Sequence, residues 1–277
     1  MEPQVSTYLL SNGIRVVNLW DSSPVAYCGF VINSGTRDEL IEESGMAHFV
    51  EHLIFKGTRK RHAWHILNRM EHVGGDLNAY TNKEETVVYS AFLVEHFPRA
   101  VELLSDIVFH STFPQTEIEK ETEVIIDEIQ SYEDSPAELI FDDFEELVFP
   151  NHPLGRKILG KPELLHSFTS KDALDFTARF YRPDNMIFFV LGDLDFKRVI
   201  KLVEKAAMDI PSSSYEYQRQ APLAYVPQTI HLQRDTHQSH GMIGRRGYDA
   251  HNEKRTALYL LNNLLGGPGM NSRLNGA

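Results

Sequence analysis

Residues 48–52 read His-Phe-Val-Glu-His, and this spacing constrains the chain more than any other feature it carries. The surrounding run, from Gly45 to Val73, has amphipathic helical patterning with a break at Gly57-Thr58. On a helix turning about 100° per residue, His48 and His52 stand roughly 40° apart, with Glu51 roughly 60° to the other side of His48. All three share one face. Two imidazoles at i and i+4 can hold one zinc ion, and a nearby carboxylate that is not a ligand can take a proton from metal-bound water. A catalytic zinc site also needs a third protein ligand. Without one, the pattern reads as a helix whose histidines make ordinary hydrogen bonds.

A second helical pattern, Thr116–Tyr132, offers candidates in Glu117, Glu119, Glu121, Glu123, Asp127 and Glu128. Acidic residues in a first turn complement the helix dipole, and Glu119 and Glu123 fit a solvated face. Glu121 and Glu128 differ, because seven residues bring them within about 20° of one another. Val124, Ile125 and Ile129 lie close by and predict partial burial of that face. A buried carboxylate needs a partner, and a metal is one.

Around these helices the chain alternates between strand and helix signals. Residues 6–20 form two β-rich runs joined by Asn12-Gly13, a strong hairpin signal. Val25–Ile32, Asp76–Thr81, Glu85–Phe92 and Met186–Leu191 read as further strands. Helices are expected over about Val94–Phe109, Ala137–Leu147, 171–181 and Phe196–Met208, with Gly74-Gly75 closing the first helical section. Residues 212–228 carry neither period and read as a linker between a first domain, 1–211, and a second unit, 229–277. In that unit strands are expected near Ile230–Arg234 and Gly241–Gly244, and a helix near Glu253–Leu265. Some fifty residues are marginal for an independent core, so the second unit reads as incomplete.

Composition narrows the function classes. The net charge of −12 argues against nucleic acid, whose binding rests on a basic face, and favours cationic partners such as basic peptides or metal ions. No stretch is long and apolar enough for a membrane helix, and the Met-Glu-Pro-Gln start lacks a secretory pattern. A cytoplasmic location is expected, in keeping with the single cysteine, Cys28, which sits in an apolar run and reads as a core thiol. His62, His65 and His72, and His237 and His240, read as scattered surface histidines. Gly266-Gly267-Pro268-Gly269 reads as a helix stop, and Arg245-Arg246 is too short a patch for nucleic acid.

The motif with its spacing resembles the pitrilysin/insulinase family of inverzincin peptidases, which includes mitochondrial processing peptidase and short bacterial processing peptidases. Beyond His48-x-x-Glu51-His52 and Glu128 in Glu-Thr-Glu-Val-Ile-Ile-Asp-Glu-Ile, the resemblance covers Leu10-Ser-Asn-Gly-Ile-Arg-Val-Val, Gly74-Gly75-Asp-Leu-Asn78-Ala79-Tyr-Thr, Phe180-Tyr-Arg-Pro-Asp-Asn-Met, Gly192-Asp-Leu and Leu264-Leu-Gly-Gly. It implies an α+β fold, a two-layer sandwich of a mainly antiparallel sheet with helices packed on one side, followed by the start of a second, similar domain.

The resemblance further implies one Zn²⁺ held by His48, His52 and Glu128, Glu51 as general base with a zinc-bound water as nucleophile, and Glu121 as a support that does not touch the metal. Asn78 and Ala79 would hold an extended peptide substrate by main-chain pairing. Pairing with a second half or a second copy is implied as well. Where the family continues with a segment containing Arg-Gly-Leu-Ala-Tyr, this sequence reads Asn275-Gly-Ala. The expectation is therefore a C-terminally shortened member, either a zinc endopeptidase or, lacking that segment, a weakly catalytic zinc- and peptide-binding partner subunit.

Overall fold

The computed structural model describes residues 5–214, 217–234 and 237–276. The chain divides into two units, 1–222 and 223–277. In the first, β1 (Val5–Leu9) and β2 (Arg15–Trp20) pair as an antiparallel hairpin with Leu9 opposite Arg15. Its turn needs Gly13, whose φ of 105° is costly for any residue with a Cβ. The neighbouring Asn12 amide donates to the carbonyls of Ala207 and Ile210 at 3.2 and 3.3 Å, which pins the turn to a distant segment.

Next come β3 (Val25–Ile32), α1 (Met46–Leu53), α2 (Ala63–Glu71), β4 (Asp76–Thr81) and β5 (Thr86–Leu93). The helices α3 (Phe97–His110), α4 (Gln115–Glu133), α5 (Pro136–Val148), the short α6 (Pro162–Leu165) and α7 (Ser170–Phe180) precede β6 (Met186–Gly192) and α8 (Phe196–Ala206). The sheet order is β1-β2-β6-β3-β5-β4, and only the β2–β6 pair is parallel. The parallel pair arises because β6 arrives after the helical section and inserts between two strands made much earlier.

Period-two alternation decides which side of the sheet is covered. Ala26, Cys28, Phe30 and Ile32 of β3 are buried, as are Phe188 and Val190 of β6, while Val25 and Tyr27 face outward. The covering layer includes α3, whose Val101, Leu104 and Ile107 are buried. Phe30 packs edge-on against Phe188 and Phe109, with ring centroids 4.9 and 5.4 Å away. Removing a side chain of this size from water contributes roughly 1.5–3 kcal/mol. The fold is thus the two-layer α+β sandwich expected. Cys28 is a core thiol, and burial raises its pKa.

Two expectations need correction, and one element was not foreseen. The interruption between α1 and α2 is wider than Gly57-Thr58, because Gly57 bridges to His62 and Thr58 to Ser111, and the Thr58 N–H donates to the Arg61 carbonyl at 2.8 Å, which holds the segment as a turn. The turn of helix at α6 carried no periodic signal. In the second unit, α9 (Arg255–Gly266) forms near its expected place and ends in a turn, with the Arg273 and Leu274 amides donating back to the Leu264 and Leu265 carbonyls. The strands expected at 230–234 and 241–244 do not form among the described residues. Strand propensity is realised only in a ladder, and these runs have no strand beside them.

Candidate metal centre

The first unit brings α1 and α4 side by side, and their facing surfaces carry the acidic and imidazole side chains singled out above. Helix α1 starts without a side-chain cap, behind Gly45 in a left-handed conformation (φ 100°). Its free amides are met by Glu39, whose two carboxylate oxygens accept from Gly45 N at 3.0 Å and Ala47 N at 2.9 Å. A carboxyl group here satisfies orphan donors at the start of the helix. Gly160 lies against Gly45, and a Cβ on it would come within 2.5 Å of the Gly45 Cα. The start of the histidine-bearing helix is therefore fixed by two contacts distant in sequence.

Helix α4 is anchored by buried Ile118, Ile125 and Ile129, and it turns Glu121 and Glu128 toward α1. Val124 is exposed, so only part of the expected apolar flank is covered. Glu119 and Glu123 are exposed, as their solvated reading requires.

His48, His52 and Glu128 converge. The Glu128 Oε2 stands 3.9 Å from His48 Nε2 and 3.8 Å from His52 Nε2, and one ligand atom from each residue lies within 4.8 Å of the others. Tetrahedral zinc with bonds of about 2.0–2.2 Å spaces its donors roughly 3.3–3.5 Å apart, and the two carboxylate–imidazole separations lie within about half an ångström of that spacing. No other group of three metal-ligating side chains comes together among the described residues, which leaves His62, His65 and His72 without a shared metal position.

The electrostatics suit the same donor set. Burial, helped by neighbouring His52, pulls the His48 pKa down to about 3, so its imidazole is neutral at neutral pH, as a metal ligand must be. His52 Nδ1 lies 3.1 Å from Glu121 Oε2. A carboxylate can only accept, so the proton sits on Nδ1 and the Nε2 lone pair is left to face Glu128. Lys56 reaches the other Glu121 oxygen at 2.5 Å. Burial works against ionisation of Glu121, yet the bonds from His52 and Lys56 outweigh it and hold its pKa below the usual value.

Glu51 lies on the same helix with the opposite tendency. Burial raises its pKa, Thr81 and His52 partly offset this, and the Glu128 charge adds to the rise. The hydroxyl and main-chain N–H of Thr81 face this carboxylate, so the last residue of β4 meets α1 at the site. Asn78 and Ala79 lie on the same strand, opposite Tyr89 and Val88 of β5. Strand β4 stands at the end of the sheet order. The Ala79 N–H is taken by the Asn78 side-chain oxygen at 2.8 Å, so it belongs to the open edge and not to the ladder with β5.

Four contributors had escaped the sequence reading: Glu39, Lys56, Thr81 and the buried Tyr181, whose phenol is raised by burial and by the nearby Glu51 charge. Lys56, four residues beyond His52, had a helical-spacing signal. Glu39 had none, and Tyr181 lay within the family-like run Phe180-Tyr-Arg-Pro without being singled out.

Comparison with known proteins agrees with this geometry. The family model described as Insulinase (Peptidase family M16) matches residues 15–162, and that described as Peptidase M16 inactive domain matches 167–276. The chain is 35% identical over 277 residues to an uncharacterized zinc protease, YmxG, of Bacillus subtilis, covering 98% of this chain and 66% of that protein. It is 35% identical over 212 residues to the mitochondrial-processing peptidase subunit beta of Saccharomyces cerevisiae, covering 76% and 46% respectively. The chain thus spans about two thirds of the bacterial relative and under half of the yeast one. Its fold matches the crystal structure of a protease from Helicobacter pylori with a TM-score of 0.86 at 23% identity, over 99% of this chain and 68% of that one.

Proposed function

Because the chain belongs to the insulinase (M16) peptidase family, we propose that it is the zinc-bearing part of an endopeptidase that cuts short or unfolded peptides. The observation that carries the reading is the convergence of His48, His52 and Glu128 with Glu51 on the same helix. His48 Nε2, His52 Nε2 and a Glu128 oxygen would hold one zinc ion. Such an ion supplies Lewis acidity, polarising a peptide carbonyl and making a water easier to deprotonate.

The remaining work falls to the chain itself. Glu51 accepts the proton from the attacking water and delivers it to the leaving amine, a role suited to a carboxylate with a raised pKa. Glu121 fixes the tautomer and angle of His52. The open edge of β4, through Ala79 and Asn78, pairs with an extended substrate backbone and leads it toward Glu51 at the Thr81 end. Such pairing reads the main chain, so folded proteins are poor substrates.

Basic side chains are favoured. The carboxylates Glu138, Glu128 and Asp142 all act on Tyr132, one helical turn beyond Glu128, and the whole chain carries a net charge of −12. The enzyme works with a second chain or second copy, a reading supported by the likeness to a named subunit of mitochondrial-processing peptidase. The direct test is zinc content by mass spectrometry alongside cleavage of a quenched peptide. About one equivalent of zinc is expected, with hydrolysis abolished by chelator and restored by zinc. A protein that binds none sinks the proposal.

A further inference from the structure

A second concavity, of about 280 Å³, opens between α2 and α3, away from the histidine–glutamate centre. It is lined by Lys60, Arg61, Arg69 and Arg99 together with Trp64 and three histidines, and no carboxylate is among the lining residues. Four fixed cations around one small hollow are out of keeping with a chain of net charge −12.

Their pairing is uneven. Arg61 is neutralised from behind by Glu102 and Asp106, and Arg69 shares Glu102 at 3.4 Å. Among the described residues the Arg99 guanidinium makes one hydrogen bond, to the Arg69 carbonyl at 3.1 Å. Lys60 has no carboxylate within ion-pair distance among the described residues. Two cations thus remain available to an incoming anion. Beside them Trp64 is 62% exposed and stands edge-on to His65 and His72, with centroids 5.2 and 6.2 Å away. A large indole left in water within a cationic hollow offers a stacking surface for a flat ring.

From this combination we infer that the cleft binds a nucleoside polyphosphate, with the phosphates at Lys60 and Arg99 and the base on Trp64. Guanidinium groups meet phosphate oxygens in a matching fork, and the hollow, just under the usual size of a small-ligand site, would seat the phosphates and leave the base on the exposed indole beside it. The inference does not depend on peptidase activity.

Calorimetric titration of the zinc-loaded protein, with excess Mg²⁺ so that the ligand does not compete for zinc, tests it. ATP, tripolyphosphate and adenosine are the probes. ATP binds and weakens as salt is raised, tripolyphosphate binds roughly tenfold or more weakly for want of stacking, and adenosine does not bind. Lys60→Glu, at an exposed position, and Arg99→Gln each weaken ATP by about tenfold, while Trp64→Ala weakens ATP and leaves tripolyphosphate unchanged. Absence of ATP binding at millimolar concentration, or binding unmoved by Lys60→Glu, overturns the site. Equal affinity for tripolyphosphate and ATP, or indifference of ATP to Trp64→Ala, overturns its assignment to a nucleotide.

Discussion

Glu121 accepts a hydrogen bond from His52 Nδ1 at 3.1 Å while its other oxygen holds Lys56 at 2.5 Å. The carboxylate is 6% exposed, so it is fixed by both partners and in turn fixes the imidazole. An imidazole so held presents one defined lone pair, and a metal site built on it is organised before the metal arrives. The three candidate ligands come from two helices whose contact depends on hydrophobic packing, and Glu121 ties the helices together beside His52.

Replacing Glu121 with Gln keeps the shape and removes the charge that orders His52. Outer partners of metal-bound histidines are commonly worth 10- to 100-fold in affinity. Zinc affinity, measured by competition with a chromophoric chelator, should fall by about that factor while the fold, read by circular dichroism, is retained. Unchanged affinity would show that His52 needs no such support.

Glu51→Gln separates chemistry from binding. The carboxamide cannot take a proton, so turnover of a peptide should drop by roughly 10²–10⁴, with zinc content still near one equivalent. A variant that loses zinc as well would place Glu51 among the ligands instead.

The open edge of β4 makes a geometric prediction. Since the Ala79 N–H is not part of the ladder with β5, proline at this position is compatible with the sheet but removes a donor that an incoming peptide would use. Ala79→Pro should raise KM several-fold or more with a smaller change in kcat. Equal loss in both would mean that the strand itself had been disturbed.

How much of this was legible in the sequence follows from the range of the interactions. His48, Glu51 and His52 fall on one face by helical period alone, and Glu121 and Glu128 by the same rule, so the donor set could be assembled from spacing and resemblance. Cys28, in the apolar run of β3, was likewise legible as a core residue. Glu39 and Thr81 could not be found this way, because each reaches α1 from a separate loop or strand and no local period encodes that approach. The break after α1 was underestimated for a similar reason. Thr58 is held by a bridge to Ser111 and by its hydroxyl bond to the buried Asp106 at 2.9 Å, both contributed by α3 and its end. In the second unit the β-forming runs at 230–234 and 241–244 had the right residues and no neighbouring strand to pair with.

Glu39 yields a prediction about pH that can be worked through in sign. Burial lifts its pKa from 4.5 to about 8, against the two α1 amides, which lower it. Between these values the folded protein holds a proton that the unfolded chain has released, so stability falls as pH rises across that window, by at most about 1.4 kcal/mol per unit. His48 acts oppositely. Its pKa drops from 6.5 to about 3 on folding, so between those values the unfolded chain binds the extra proton and stability rises with pH. The two effects offset one another from 4.5 to 6.5, and from 6.5 to 8 Glu39 drives the decline, with the raised carboxyl of Glu51 acting in the same direction. Metal-free protein should therefore lose stability to urea between pH 6.5 and pH 8. Glu39→Gln, which retains an acceptor for one of the two amides but does not titrate, should be less stable at pH 6.5 and show a much shallower decline. A wild-type protein whose stability stays level across this interval would mean that Glu39 is ionised in the fold and acts as a charged cap on α1.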